Sequence, residues 1–244
     1  MPSKRIFIKL SGEMLSGEGK KGYDHGLVAS YLEQIVAATK GGRQIAIGVG
    51  GGNILRGRDI ADHVGRVYAD YMGVLGTVQN GLYLKSLIEK KGVPGRLFSA
   101  IVVPEIGETF EPMKCEKYFN QGSILIFAGG ISRSRFTSDT NAAVSCLESA
   151  CSILLKCTKV DGIYDNDPRK VATAKRYKSI SYETCLRDTK RFGFMDATAM
   201  ALLRDENIPC RVFSVADPEN LSRAMRGEEI GTLVSNSVTD ILYD

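Results

Sequence analysis

The sequence is poor in the features that mark several large classes of protein. Its N-terminal apolar run, Ile6-Phe7-Ile8, follows Lys4-Arg5 and is cut by Lys9, far short of a signal-peptide core or a membrane span. No export segment and no membrane partner are therefore expected. Only two histidines occur, His25 and His63, and neither has a cysteine or a second histidine at ligand spacing, so no protein metal site is expected. The six cysteines (Cys115, Cys146, Cys151, Cys157, Cys185, Cys210) form no C-x-x-C pair. Most have apolar neighbours, and with no export signal they read as buried thiols of the reducing cytoplasm. An excess of one charge is missing too: 32 Lys plus Arg against 28 Asp plus Glu leave +4. Basic pairs such as Lys4-Arg5, Lys20-Lys21 and Arg169-Lys170 are scattered, so a nucleic-acid footprint is not indicated. There is no linker rich in Ser, Gly or Pro, no low-complexity tract and no repeat. A Walker A motif and a strand-linked G-x-G-x-x-G are both absent, which removes P-loop and dinucleotide-binding readings as first choices.

What is present is an ordinary globular composition, 43% apolar and 25% charged over 244 residues, enough for a substantial core. Arg5 to Leu10 reads as a strand. Asp24 then caps a helix whose Leu27, Val28, Tyr31, Leu32, Ile35 and Val36 follow helical spacing, Gly41-Gly42 stop it, and Gln44 to Val49 reads as a buried strand. The alternation recurs with helices near 69–90, 113–120 and 139–150 and strands at 96–101, 123–128 and 151–156. After a polar, turn-rich loop over 158–178 come helices at 182–188 and 196–206 and strands at 210–215 and 232–235. Asp217-Pro218 has the look of an N-cap with a first-turn proline. The pattern predicts an α/β protein, a three-layer αβα sandwich with a largely parallel central sheet, formed by 1–244 as a single domain with two lobes. Tyr71, Met72, Leu75 and Val78 fit either core or an interface, with core the better expectation.

Three glycine-containing loops each follow an expected strand: Ser11-Gly12, Gly50-Gly51-Gly52 and Gly129-Gly130. Ligands bind at strand ends in such folds, and glycines bring main-chain N–H groups close to phosphate oxygens. Each loop taken alone also suits an ordinary strand-to-helix turn. Lys9 ends one apolar strand and Lys156 another; they either converge on a transferring phosphoryl group or snorkel outward to water. Asp139 opens a helix, where it either favours the first turn electrostatically or orients the two lysines.

The ordered motifs Lys9-Leu10-Ser11-Gly12-Glu13, Gly50-Gly51-Gly52-Asn53-Ile54 with Arg56-Gly57, Arg66-Val67 with Asp70 and Met72-Gly73, Lys156 to Pro168, and Met195-Asp196-Ala197-Thr198-Ala199 resemble the bacterial uridylate kinases of the amino acid kinase superfamily. The resemblance implies transfer of the γ-phosphoryl of ATP to UMP with Mg²⁺ carried on ATP, a cytoplasmic homohexamer, a role in pyrimidine nucleotide biosynthesis, activation by GTP and inhibition by UTP. It implies catalytic roles for Lys9, Asp139 and Lys156. ATP contacts fall to Lys9, Leu10, Ser11, Gly12, Gly52, Arg56, Thr158, Tyr164 and Asp167. UMP contacts fall to Gly51, Asp70 and the loop Ile131, Ser132, Arg133, Ser134, Arg135, Phe136, Thr137 and Ser138, with Asp70 accepting from ribose hydroxyls. The lobes become an acceptor side (1–150) and an ATP side (151–244).

One loop departs from the pattern. Relatives typically read Gly-Thr-Gly-Asn-Pro-Phe-Phe-Thr-Thr-Asp where this chain reads Gly130-Ile131-Ser132-Arg133-Ser134-Arg135-Phe136-Thr137-Ser138-Asp139. A threonine hydroxyl and an asparagine amide are lost, and a guanidinium that only donates is gained. Three readings follow: a UMP kinase, a member of the superfamily with another acceptor (a different nucleotide, a carboxylate or a carbamate), and a nucleotide-binding regulator without catalysis.

Overall fold

A computed structural model of the chain describes residues 4–19 and 21–243; Lys20, one half of a basic pair, lies outside them. Ten strands form one sheet among the described residues: β1 (Arg5–Leu10), β2 (Gln44–Val49), β3 (Gly95–Ser99), β4 (Glu108–Thr109), β5 (Ile124–Ala128), β6 (Leu154–Thr158), β7 (Tyr177–Ser181), β8 (Cys210–Ser214), β9 (Thr232–Ser235) and β10 (Ile241–Leu242). Their order across the sheet is β10-β7-β9-β8-β6-β1-β2-β5-β3-β4. All neighbours run parallel except β8 with β9 and β7 with β10. The helices are α1 (Gly12–Leu15), α2 (His25–Lys40), α3 (Gly57–Val64), α4 (Arg66–Lys90), α5 (Pro112–Asn120), α6 (Ser138–Glu148), α7 (Tyr182–Arg187), α8 (Ala197–Asp205) and α9 (Asn220–Arg226).

The central strands carry apolar residues on both faces because helices cover both. On one side Ile6, Ile8 and Leu10 of β1 join Val28, Leu32 and Ile35 of α2, Leu84 and Ile88 of α4, and Leu221 and Met225 of α9. On the other, Phe7 joins Ala142 and Cys146 of α6, Cys115 and Phe119 of α5, and Met200 and Leu203 of α8. Each such aliphatic side chain contributes roughly 1.5–3 kcal/mol when fully buried. The six cysteines are buried free thiols.

The structure departs from the sequence reading in several places. The sixth strand starts at Leu154, not Cys151, because the chain first turns at Ala150, whose φ is 53°, before entering the sheet. Asp217 caps no helix. Its carboxylate accepts from the Glu219 N–H in a local turn, and α9 begins only at Asn220. The loop over 158–178 is an out-and-back excursion, pinned by Asp165 N–H to Lys175 O at 3.0 Å and Tyr177 N–H to Ile163 O at 2.8 Å. Helix α4 begins at Arg66, and Tyr71, Met72 and Leu75 are exposed on it; only Val78 of that group is buried.

Candidate active site

Side chains alternate across a strand, so Lys9 shares a face of β1 with Phe7, and Lys156 shares a face of β6 with Leu154. Phe7 and Leu154 both belong to the core on the α6 side, which directs both lysines toward that helix. The parallel pairing of β1 with β6 sets Phe7 opposite Leu154 and Lys9 opposite Lys156. The two ammonium groups therefore emerge side by side. Helix α6 starts above them because Thr137 caps it, its Oγ1 accepting from the N–H of Asp139 at 3.0 Å and of Thr140 at 3.4 Å. Asp139 Oδ1 accepts from Lys9 Nζ at 2.9 Å and from Lys156 Nζ at 2.6 Å.

Lys9 and Lys156 are only 4% and 7% exposed, so the trio holds two buried cations against one anion. Burial by itself would raise the Asp139 carboxyl, but the two ammonium groups outweigh it and pull the value down to about 2. Burial, reinforced by the Lys9 charge, lowers the Lys156 ammonium below its ordinary range, with Asp139 opposing. A dry site with one uncompensated positive charge, beneath a helix N-terminus, is built to receive an anion.

Three glycine loops follow β1, β2 and β5, which lie next to one another and run parallel, so they open at one edge of the sheet. Their closeness depends on the missing side chains. A Cβ on Gly12 would collide with the main-chain nitrogens of Gly52 and Asn53, and one on Gly51 would lie 2.5 Å from Gly73 O. Beneath them two buried amides interlock: Asn80 donates to Asn53 Oδ1 at 2.6 Å and to Gly50 O at 2.7 Å, while Asn53 donates to Asn80 Oδ1 at 3.1 Å and to Gly22 O at 3.0 Å. Leu10 is core, and of this residue only the main chain can face a ligand.

Two cavities are lined by residues next to the trio in sequence. One of about 450 Å³ is lined by Thr158, Tyr164, Asp167, Arg191 and Phe194, among others; Thr158 stands two residues beyond Lys156 on β6. The other, about 200 Å³, is lined by Gly51, Gly52, Arg56, Asp70, Ile131, Arg133, Phe136, Thr137, Ser138 and Asn141; Ser138 directly precedes Asp139. Most of the expected acceptor residues thus share one cavity. Gly52 and Arg56, expected on the ATP phosphates, open on that same cavity, and the Arg56 guanidinium pairs with Glu13. Ser132 does not join them, because its hydroxyl donates to Ala100 O. Ser134 Oγ and the Arg135 N–H instead bond Asp70, at 2.7 and 2.8 Å. Burial would raise Asp70; those two bonds and one from Arg66 outweigh it and leave the carboxyl below its usual value.

Asn53, Asn80, Thr140 and Asp196 have no assigned role in the sequence reading. Asp196 caps α8 by accepting from Ala199 N–H at 2.9 Å, and it also takes the hydroxyls of Thr137 and Thr140. It thereby ties the start of α6 to α8. Asp196 lies inside a motif quoted above, but no local pattern says that an amide such as Asn80 or a capping carboxylate reaches across to another element.

Such an edge, with glycine cradles, a caged aspartate and paired cations, defines a phosphate-handling α/β enzyme site. The amino acid kinase family model matches residues 4–214. A uridylate kinase of Zymomonas mobilis is 42% identical over 233 residues, covering 95% of this chain and 96% of the relative. Among solved structures, the UMP kinase of Bacillus anthracis superposes with a TM-score of 0.94 at 29% identity, covering 100% of both chains. That of Ureaplasma parvum gives 0.88 at 32% identity, covering 96% of this chain and 100% of the other. The chain belongs to the amino acid kinase family, among its uridylate kinases.

Proposed function

We propose that the chain transfers the γ-phosphoryl group of ATP to UMP, giving ADP and UDP. The observation that carries this reading is Asp139 holding Lys9 and Lys156 at 2.9 and 2.6 Å. Phosphoryl transfer spreads negative charge over the equatorial oxygens of the moving group and asks the protein mainly for position and fixed cations. The two ammonium groups supply those cations, and Asp139 holds them side by side. The acceptor is an ionised phosphate oxygen, so no general base is required. Thr158, Tyr164 and Asp167 enclose the adenosine half of ATP in the larger cavity; Leu10, Ser11, Gly12, Gly52 and Arg56 meet its phosphates. Gly51, Asp70 and the loop from Ile131 to Ser138 receive UMP in the smaller one.

No group of three metal-ligating side chains occurs among the described residues, and Asp139 is committed to both lysines. The donor set fits a Mg²⁺ ion brought on the ATP phosphates, where it would neutralise charge on the β and γ oxygens. The acceptor cavity is built wholly from residues before 150 and the larger one from residues after it, which supports a single domain of two lobes, 1–150 and 151–244. Buried unpaired thiols support the cytoplasm, the compartment of pyrimidine nucleotide synthesis. The exposed Tyr68, Tyr71, Met72 and Leu75 on the first half of α4 support self-association, as a homohexamer, through that face.

Product analysis after mixing the full chain with ATP, Mg²⁺ and an equimolar panel of nucleoside monophosphates tests the reading. UDP and ADP are expected. Phosphorylation of another acceptor with UMP left intact would overturn the substrate, and tight binding of both nucleotides with no product would overturn catalysis.

A further inference from the structure

The carboxylate facing the acceptor is already held from three directions. Arg66 Nε, one helical turn before Asp70 on α4, reaches Oδ1 at 2.8 Å and Oδ2 at 2.9 Å. Oδ2 takes two further bonds, from Ser134 Oγ at 2.7 Å and from the Arg135 N–H at 2.8 Å. A carboxylate has about four lone-pair sites. Oδ2 is therefore saturated, whereas Oδ1 has one donor and room for one more. Asp70 itself borders the smaller cavity, and its side chain is 15% exposed.

Both donors beside Arg66 come from the loop that departs from the family pattern, where relatives place a proline at the position of Ser134. Proline has no hydroxyl to offer. The loop is also held in an uncommon shape, since Ser132 and Arg135 sit at φ of 56° and 72°, a region that side-chain-bearing residues occupy when their surroundings fix them there. Ser132 Oγ on Ala100 O and the two bonds on Asp70 are those fixings.

We propose that Ser134 is a positioning residue for the acceptor sugar: with the Arg135 N–H it fills Asp70 Oδ2, so that Oδ1 alone is presented to a single ribose hydroxyl. The inference rests on a nucleoside monophosphate being the acceptor. In this chain the altered loop serves sugar recognition through Asp70, and its serine compensates for base-directed side chains that are missing.

Steady-state kinetics of the full chain, with UMP and its 2′-deoxy and 3′-deoxy analogues at saturating ATP and Mg²⁺, test the proposal on the wild type, Ser134→Ala and Ser134→Thr. Losing one hydrogen bond to a charged group should raise KM for UMP by at least about tenfold in Ser134→Ala, with KM for ATP unchanged. One deoxy analogue, lacking the hydroxyl that Oδ1 accepts, should be insensitive to the change, so discrimination against it falls. Ser134→Thr, which keeps the hydroxyl, should restore the wild-type value. Equal effects on UMP and both analogues, an unchanged KM for UMP, or failure of the threonine to rescue would each overturn the proposal. Absence of wild-type turnover on UMP would instead overturn the function on which it rests.

Discussion

Asp139→Asn removes one negative charge with almost no change of shape, and its consequence can be worked from the trio. The folded protein holds this carboxyl at about 2 against an ordinary 3.8, a difference worth about 2 kcal/mol of stability at neutral pH. Breaking a buried ion pair by deleting one partner costs about 3–5 kcal/mol. The expected loss thus lies at about 2–5 kcal/mol, the lower end applying if Lys156, already lowered by burial, sheds its proton once Asp139 is gone. For a chain of this size each kcal/mol moves Tm by about 2–4 °C. Urea unfolding at pH 7 with and without ATP reads the effect; ATP should narrow the gap, because its phosphates replace the missing anion in the folded state only. The sign with pH is fixed as well. Asp139 is depressed in the folded state, so its stabilisation is complete above about pH 4 and is lost as pH falls through about 2. The difference between wild type and variant should therefore close toward pH 2. A variant unfolding within about 0.5 kcal/mol of wild type at pH 7 would refute the reasoning.

Lys9→Ala should remove turnover while leaving the far-UV circular dichroism spectrum unchanged; near-normal turnover would deny Lys9 its catalytic part. Gly12→Ala drives a methyl group into the backbone of the second glycine loop, so KM for ATP should rise at least tenfold with a stability loss of about 1–3 kcal/mol, and unchanged ATP kinetics would show that the loops need not touch. Asn80→Ala removes all three hydrogen bonds of this buried side chain, two donated and one accepted, and should lower stability by about 2–4 kcal/mol, measured by urea unfolding. If the exposed face of α4 carries the proposed self-association, paired Tyr71→Ser and Leu75→Ser should give smaller species than wild type in sedimentation velocity with the fold retained; identical profiles would deny that face the role.

Long apolar periods were legible in the sequence: β1, α2, β2, β5 and β8 lie close to where their spacing puts them, because burial of one or both faces dictates the residues. Helix α3 has no buried residue, and its Ile60, Ala61 and Val64 make an apolar pattern too brief to stand out from a loop; β4 and β10 are two-residue strands with no readable period. Exposure of Tyr71 and Leu75 was equally hidden, since an apolar face reads the same whether a core or another chain covers it. At the site, the strand-end lysines and the helix-opening aspartate could be marked as chemistry-bearing. What no local pattern supplies is the register that sets Lys9 opposite Lys156, or the long-range bonds of Asn80 and Asp196, which are properties of the assembled sheet and its helices.

The adjacency of β1 and β6 in the sheet also orders events during synthesis. In chain order β1 comes before β2 and β5, and β6 follows both. A chain that stops before Lys156 lacks the second ammonium group that Asp139 accepts from. If both ammonium groups serve the proposed transfer, products truncated before β6 are inert.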